Sequence, residues 1–264
     1  GKIGACAAFN IQQLAKRGQF LAHLAKRGIL ARDTIGQIHL NQHKDHQHEN
    51  DHHQQGCQGV NKAGPGKIFD PTHHSLGNGC TEFAKSPQAI EFDHFVRIYF
   101  SSQMRTEDGM YLSHSQFIDM DKEFKKIINI SDKSVLELGE LGTFDEHGIF
   151  PINPVRIDGK LHAYTSGWSR RSSVSIDMAI GLAVSNDDGL TFKEKLNGPI
   201  LTASLHEPFL VGDPFVQKYN GQFHMWYIFG TEWKVFAENN APDRIYKIAH
   251  ASSNDGLNWQ RESK

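Results

Sequence analysis

From Pro214 to Tyr227 the chain reads PFVQKYNGQFHMWY, apolar and polar residues alternating on either side of an Asn-Gly pair. Alternation with a period of two belongs to a half-buried strand. Asn-Gly suits the two left-handed positions of a type I′ hairpin turn. PVRIDGKLHAY, from Pro154 to Tyr164, repeats the pattern around Asp158-Gly159, and PQAIEFDHFVRIYF, from Pro87 to Phe100, is a degenerate copy around Asp93. The first turn residues, Asp93, Asp158 and Asn220, stand 65 and 62 residues apart (93 to 158, then 158 to 220). A second element recurs as AVSNDDGLTF (Ala183 to Phe192) and ASSNDGLNW (Ala251 to Trp259), with a weaker version in SHSQFIDMDKEF (Ser113 to Phe124). It reads as an outer hairpin, with Phe192 and Trp259 packing between neighbouring units. Strand-turn-strand units at near-constant spacing are the signature of a radial or stacked repeat. The pattern therefore predicts an all-β fold, a β-propeller with inner strands near Pro87, Pro154 and Pro214. Residues 65–264 hold about three such blades, whereas propellers close with four or more, so the ring is expected to stop before closure.

The pattern changes near Gly64-Pro65-Gly66, which divides the chain into residues 1–64 and a partial propeller over 65–264. Upstream there is no strand alternation. Ile11 to Ala31 is compatible with a helix weakened by Gly18 and Gly28, each costing about 1 kcal/mol relative to Ala. His39 to Gly59 is a His/Gln/Asn-rich tract. Two readings stand for it: metal binding by His43, His46, His48, His52 and His53 with Cys57, or a disordered polar segment. No ligand pair there sits on a recognisable helix or knuckle, which favours the second reading and no metal site. A third is that the residues before Lys67 are not native to the domain that follows.

Composition narrows the partners. The chain of 264 residues has a formal net charge of −2, which argues against nucleic acid and fits a neutral ligand such as a sugar. Three cysteines at irregular spacing, Cys6, Cys57 and Cys80, imply no disulfide framework. No apolar run reaches the roughly 18–20 residues of a membrane span, and the first residues are too short in apolar length for a signal peptide. The expected location is cytoplasmic, and no cofactor is called for.

Candidate chemistry lies just before each inner strand, where a propeller places its axial site. These segments are Phe144 to Pro154, Leu205 to Pro214 and Cys80 to Pro87. Carboxylates next to apolar strands are costly if buried without partners, so Asp145, Glu146, Glu207 and Asp213 are expected to line one polar funnel. Paired carboxylates in a concave site can act as general acid and as base or nucleophile in glycoside hydrolysis. Trp168, after the second strand of unit two, is a candidate platform for a sugar face or an inter-blade packing residue. Arg170 and Arg171 are candidate anion binders or solvated loop residues.

These segments carry a resemblance. FDEHGIFP (Phe144 to Pro151), SLHEPF (Ser204 to Phe209), GDPF (Gly212 to Phe215), HMWY (His224 to Tyr227) and SNDGLNW (Ser253 to Trp259) resemble the five-bladed glycosidases of glycoside hydrolase families 43 and 32, the arabinanase, levansucrase and invertase group. The resemblance covers about three quarters of the chain, from Gly66 to Lys264. It implies three acids on successive inner strands: a base or nucleophile, a transition-state-stabilising Asp in an Asp-Pro pair, and a general-acid Glu. Asp213-Pro214 matches the middle acid. The corresponding pairs Asn153-Pro154 and Ser86-Pro87 lack a carboxylate, so Asp145 or Glu146 is the expected substitute base. The general acid is expected beyond Lys264. His147, Asn153, Trp168, Arg170, Arg171, His206 and Glu207 are the expected substrate-binding residues. The implied function is a glycoside hydrolase acting on a furanoside or related sugar of a bacterial glycan. The alternative is a non-catalytic glycan-binding or polysaccharide-assembly propeller module.

Overall fold

A computed structural model of the chain describes residues 9–10, 67–194, 198–236 and 240–262. The helix read over Ile11 to Ala31 and the His-rich tract lie outside the described residues. Strand β1 (Phe9–Asn10) pairs antiparallel with β2 (Lys67–Phe69). The remaining strands form three antiparallel meanders, so the chain is all-β. Unit one comprises β3 (Glu82–Glu91), β4 (Val96–Arg105), β5 (Tyr111–Met120) and β6 (Ile127–Ile130). Unit two comprises β7 (Gly148–Ile157), β8 (Lys160–Arg170), β9 (Ile176–Ser185) and β10 (Lys193–Glu194). Unit three comprises β11 (Val211–Tyr219), β12 (Gln222–Val235), β13 (Pro242–Ser253) and β14 (Gln260–Arg261). Units one and two are joined into one eight-stranded sheet by a single parallel bridge, Ser113 to Gly148, and unit three is a separate four-stranded sheet.

The turn chemistry decides the hairpins. Asp158-Gly159 and Asn220-Gly221 all have φ between 49° and 80°, the left-handed pair that a two-residue turn demands. The first hairpin differs from its expected two-residue turn. It closes through four residues, with the Phe92 N–H donating to the Phe95 carbonyl at 2.9 Å and the two rings stacked 4.6 Å apart. Asp93 lacks a following glycine, so the longer loop replaces the tight one.

Each inner strand carries a bulge at an X-Pro pair, because proline has no N–H to give the ladder. In β3 the register breaks between Lys85 and Gln88, in β7 between Ile149 and Ile152, and in β11 between Gly212 and Phe215. The three bulges therefore hold Ser86-Pro87, Phe150-Pro151 and Asp213-Pro214. This corrects the expected alignment: Asn153 stands opposite Tyr164 as Phe215 stands opposite Trp226, so the counterpart of Asp213 in unit two is Pro151, not Asn153, and the inner strands begin upstream of the prolines, at Glu82, Gly148 and Val211. The Phe150-Pro151 bond is cis.

Three apolar clusters fill the spaces. One, of Phe69, Leu76, Cys80, Ile98, Phe100 and Ile118 among others, covers the far face of unit one. A second, including Tyr99, Phe117, Ile149, Leu161 and Phe192, lies between units one and two. A third, including Tyr164, Ile180, Leu182, Val211, Met225 and Tyr227, lies between units two and three. The two later interfaces share one device. Tyr99 Oη donates to the Gly189 carbonyl at 2.8 Å, and Tyr164 Oη donates to the Gly256 carbonyl at 2.9 Å. Each tyrosine also meets, edge to face, the aromatic three residues past its glycine, Phe192 at 5.7 Å and Trp259 at 5.8 Å. The glycines are obligatory, being left-handed (φ 80° and 70°) and leaving no room for a Cβ beside the phenol oxygen. Ser185 and Ser253 hold the two turns by accepting the glycine N–H at 2.7 and 2.9 Å.

Candidate active site

The starts of β7 and β11 and the end of β8 meet at one rim of the molecule. Gly148 opens β7 directly against the Trp168 indole, a closeness that excludes any side chain there. Trp168 is 8 % exposed and belongs to a small cluster with Met178 and Leu210, flanked by Phe150, Ile176, Trp233 and Tyr246. The His147 ring stacks on it at 5.9 Å, and the Arg170 guanidinium lies over it at 5.6 Å. Arg170 also donates to the Tyr111 carbonyl, which ties this rim to unit one.

Asp213 occupies the bulge of β11 on the same side. Its φ is 49°, a left-handed value that is costly for a residue preceding proline. The conformation is held by its own N–H, which donates to Ser166 Oγ at 2.6 Å. Strained backbone of this kind gathers at functional sites. The Tyr246 phenol is pushed up to about 12, mainly by burial and in part by the nearby Asp213 charge. Arg244 donates to Tyr246 Oη and to Ser175 Oγ of the β8–β9 hairpin, the latter at 3.2 Å. Tyr246, Arg244, Ser166, Phe150 and Trp233 were not expected from sequence. The alternation within β13 was the available signal for the first two, and no local signal marks Ser166.

Asp145 is elsewhere. Its Cβ packs on Gly167, where a built Cβ would come within 2.5 Å, and the Phe144 ring fills the space over Gly167 and Gly181. Neighbouring residues on a strand face opposite ways, so Gly167 and Ser166 mark opposite faces of β8. Asp145 therefore lies on the face turned to unit one, and Asp213 on the face turned to unit three. Asp145 is 1 % exposed, with Oδ1 in no hydrogen bond among the described residues. Glu146 Oε2 accepts the Gly142 N–H at 2.5 Å, and Oε1 lies 3.0 Å from His147 Nδ1. Burial, then the Arg170 charge, holds the His147 imidazole below its ordinary value, against the opposing pull of Glu146.

The remaining expected residues are tied into the framework. Glu207 is 1 % exposed, accepts the Tyr227 hydroxyl at 2.8 Å, and pairs with Arg261 at 3.1 Å. Asn153 Oδ1 accepts the Val216 N–H at 2.8 Å and bolts β7 to β11. Arg171 pairs with Asp177 at the surface, and His206 is exposed in the Ser204–Glu207 turn. Trp168, His147 and Arg170 thus share the rim with Asp213. Asp145, Asn153 and Glu207 are separated from it by packing or by pairing. A cavity of about 550 Å³ lies apart from this rim, between the 133–143 segment and Thr191 to Lys193. Among the described residues no three His, Cys, Asp or Glu side chains converge in a metal-binding geometry, and no helix is long and apolar enough to cross a membrane.

No family model matches the chain. Two uncharacterised proteins of Mycobacterium tuberculosis, from strains CDC 1551 and H37Rv, are each 28 % identical over 201 residues, covering 75 % of this chain and 64 % of their own length. The chain thus spans about two thirds of the curated relatives it matches. Among solved structures, a family 117 glycoside hydrolase of Zobellia galactanivorans superimposes with a TM-score of 0.53 at 13 % identity, covering 70 % of this chain and 47 % of the other. The sucrose-6-phosphate hydrolase of Lactobacillus gasseri does so with a TM-score of 0.55 at 15 % identity, covering 76 % and 38 %. At these identities the likeness is one of fold alone.

Proposed function

We propose that this chain is part of a glycosidase-type propeller whose axial site takes a furanoside or related sugar of a bacterial glycan. In this reading units one to three are successive blades. Asp213 faces the sugar and stabilises positive charge developing at the anomeric carbon, with Trp168 and His147 forming an aromatic wall beside it. The observation that carries the reading is Asp213 itself: a left-handed Asp-Pro bulge, fixed by Ser166, at an aromatic rim of a fold shared with glycoside hydrolases. A general acid would come from residues outside those described, and Glu146 is the carboxylate left to serve as base through His147.

The alternative, a glycan-binding or assembly module without turnover, gains support from the two other bulges. Ser86 and Pro151 stand where further acids would be expected. One experiment separates the readings. Tryptophan fluorescence titration and hydrolysis assays with aryl furanosides and furanoside-containing bacterial oligosaccharides are run on the wild type and on Asp213→Asn. The hydrolase reading expects turnover that falls by about 10² or more in the variant, since a catalytic carboxylate contributes on that scale. Saturable binding with no turnover in either protein selects the binding module. Equal turnover in both removes Asp213 from the site.

A further inference from the structure

Several arginines of this fold are engaged by carboxylates. Arg97 pairs bidentately with Asp119 at 2.7 and 2.8 Å, Arg171 pairs with Asp177, and Arg261 pairs with Glu207. Arg244 differs. It lies on β13 opposite Trp233 of β12, near the tip of that long hairpin. Its side chain is only 20 % exposed, yet its hydrogen-bond partners are neutral: Nε donates to Tyr246 Oη, and Nη1 to Ser175 Oγ at 3.2 Å. Among the described residues one carboxylate comes within 4 Å, that of Asp243. It stands 3.9 Å from Nη1, beyond hydrogen-bond reach, and its Oδ1 accepts the Arg244 backbone N–H instead. Nη2 makes no hydrogen bond among the described residues. A guanidinium largely withdrawn from water without a counter-ion is costly. Its planar fork matches the paired oxygens of a carboxylate or a phosphoryl group.

Arg244 belongs to the surroundings of Asp213. Its guanidinium lies over the Trp233 and Tyr246 rings at 5.9 and 5.8 Å, and both rings pack on the cluster of Trp168, Met178 and Leu210. Gly212, the residue before Asp213, abuts the same cluster, since a Cβ there would come within 2.4 Å of the Met178 methyl. The Tyr246 phenol, which accepts from Arg244, also responds to the Asp213 charge. Ser175 ties the arginine to the β8–β9 hairpin beside the rim. The two arginines expected from sequence to bind anions do not share this position. Arg171 is paired with Asp177, and Arg170 sits over Trp168 and turns to the Tyr111 carbonyl of unit one.

We propose that Arg244 is a substrate-binding residue, and that the sugar taken at the Asp213 site carries an anionic substituent, a carboxylate or a phosphoryl group, bound by its guanidinium. The proposal rests on the reading of Asp213 as a residue that faces the sugar. A carboxylate and a cation then stand at two ends of one site, so the ligand has one favoured orientation. Its anionic substituent is drawn to Arg244 and repelled by Asp213, and charge complementarity of this kind acts on specificity more than on raw affinity.

The test is a tryptophan fluorescence titration with matched sugars: fructose 6-phosphate against fructose, ribose 5-phosphate against ribose, and galacturonate against galactose. The pairs tell a phosphoryl group from a carboxylate. In the wild type, the anionic member of at least one pair is expected to bind about 10-fold or more tightly than its neutral counterpart, by an advantage that shrinks with added salt. Arg244→Gln is expected to bring that advantage close to unity, and Arg244→Lys to keep part of it. Ser175→Ala releases the same tie to the hairpin while keeping the charge, so the advantage is expected to survive there. Its loss in Ser175→Ala as well would reduce Arg244 to a fastening of the hairpin and overturn the proposal. Equal affinity within every pair, or an advantage undiminished in Arg244→Gln, would also overturn it. Asp213→Asn separates the two readings. If it weakens sugars that bind without regard to charge, Asp213 keeps its role and Arg244 loses the one proposed. If the Arg244-dependent advantage persists with affinities unchanged in Asp213→Asn, the anion subsite stands and the reading of Asp213 falls. Binding of no sugar removes both.

Discussion

Unit two has two faces that do opposite things. Apart from the bonds of Tyr99, Arg97 and Ser115 to the Gly189, Asp188 and Ile149 carbonyls, the face toward unit one is closed by apolar packing: Gly167 and Gly181 admit the Phe144 ring, Ile149, Ile152 and Ala163 complete it, and Asp145 is sealed beneath. The face toward unit three is built with polar devices. Ser166 accepts an N–H, Asn153 accepts another, Tyr164 donates to a carbonyl, and Trp168 carries His147 and Arg170 to the rim. Two aspartates that look alike in sequence, each just ahead of a proline-bearing strand segment, thus fall on opposite sides of one sheet. The difference teaches that being near an inner strand is not enough to place an acid in an axial site. The bulge decides it, since a residue within the bulge is re-aimed while one before the strand follows the incoming loop.

The comparison breaks most readily at the glycines. Gly167→Ala would drive a methyl into Asp145 and the Phe144 ring, and is expected to cost about 3 kcal/mol, at the upper end of overpacking, or to prevent folding. Gly212→Ala on the other face meets Ser166 Oγ at 3.0 Å and the mobile end of Met178, so its expected cost is about 1 kcal/mol. Urea unfolding of both variants measures the contrast, and equal losses would mean that the two faces are packed alike.

A smaller effect tests the polar face. Tyr164→Phe removes the hydroxyl that reaches the Gly256 carbonyl and leaves that oxygen buried, with an expected loss of about 1 kcal/mol. Tyr99→Phe is expected to lose a similar amount at the other seam, again read by urea midpoints. A loss at Tyr164 alone would show that the latch is not a repeated device.

The smallest expected effect is on pH dependence. His147, His114 and His224 are each held below their ordinary values, chiefly by burial, with Arg170 acting further on His147 and His250 on His224. The folded protein therefore binds fewer protons than the unfolded chain between the lowered and the ordinary values. Stability is fully present above about pH 6.5 and declines as pH falls below it through the folded values. His114→Gln is expected to flatten that decline, seen in melting midpoints between pH 7.5 and 5. An undiminished slope would assign the decline to other groups.

Much of the architecture was legible because it is local. Asn220-Gly221 and Asp158-Gly159 can hardly form anything but tight turns, and alternation in His162 to Tyr164 and His224 to Trp226 states the strands and their faces. Ser185-Asn186-Asp187-Asp188-Gly189 and Ser253-Asn254-Asp255-Gly256 announce turns of one kind, and Phe192 and Trp259 do pack between neighbouring units. The register of unit two is not fixed by the sequence because two prolines, Pro151 and Pro154, stand in β7 where β11 has Pro214 alone. Sequence spacing cannot tell which of them a bulge will absorb.

The sequence by itself determined the hairpins, the repeat and the all-β class, because turn glycines and strand alternation act over a few residues. Only the tertiary structure decided which acids meet. Asp213 reaches the rim because Ser166, 47 positions away, holds its N–H, while Glu207 is withdrawn because Tyr227 and Arg261 close on it. Those partners lie on other strands and become neighbours only once the sheets pack. A carboxylate's role depends on burial and on what faces it, quantities that do not exist before the chain has folded.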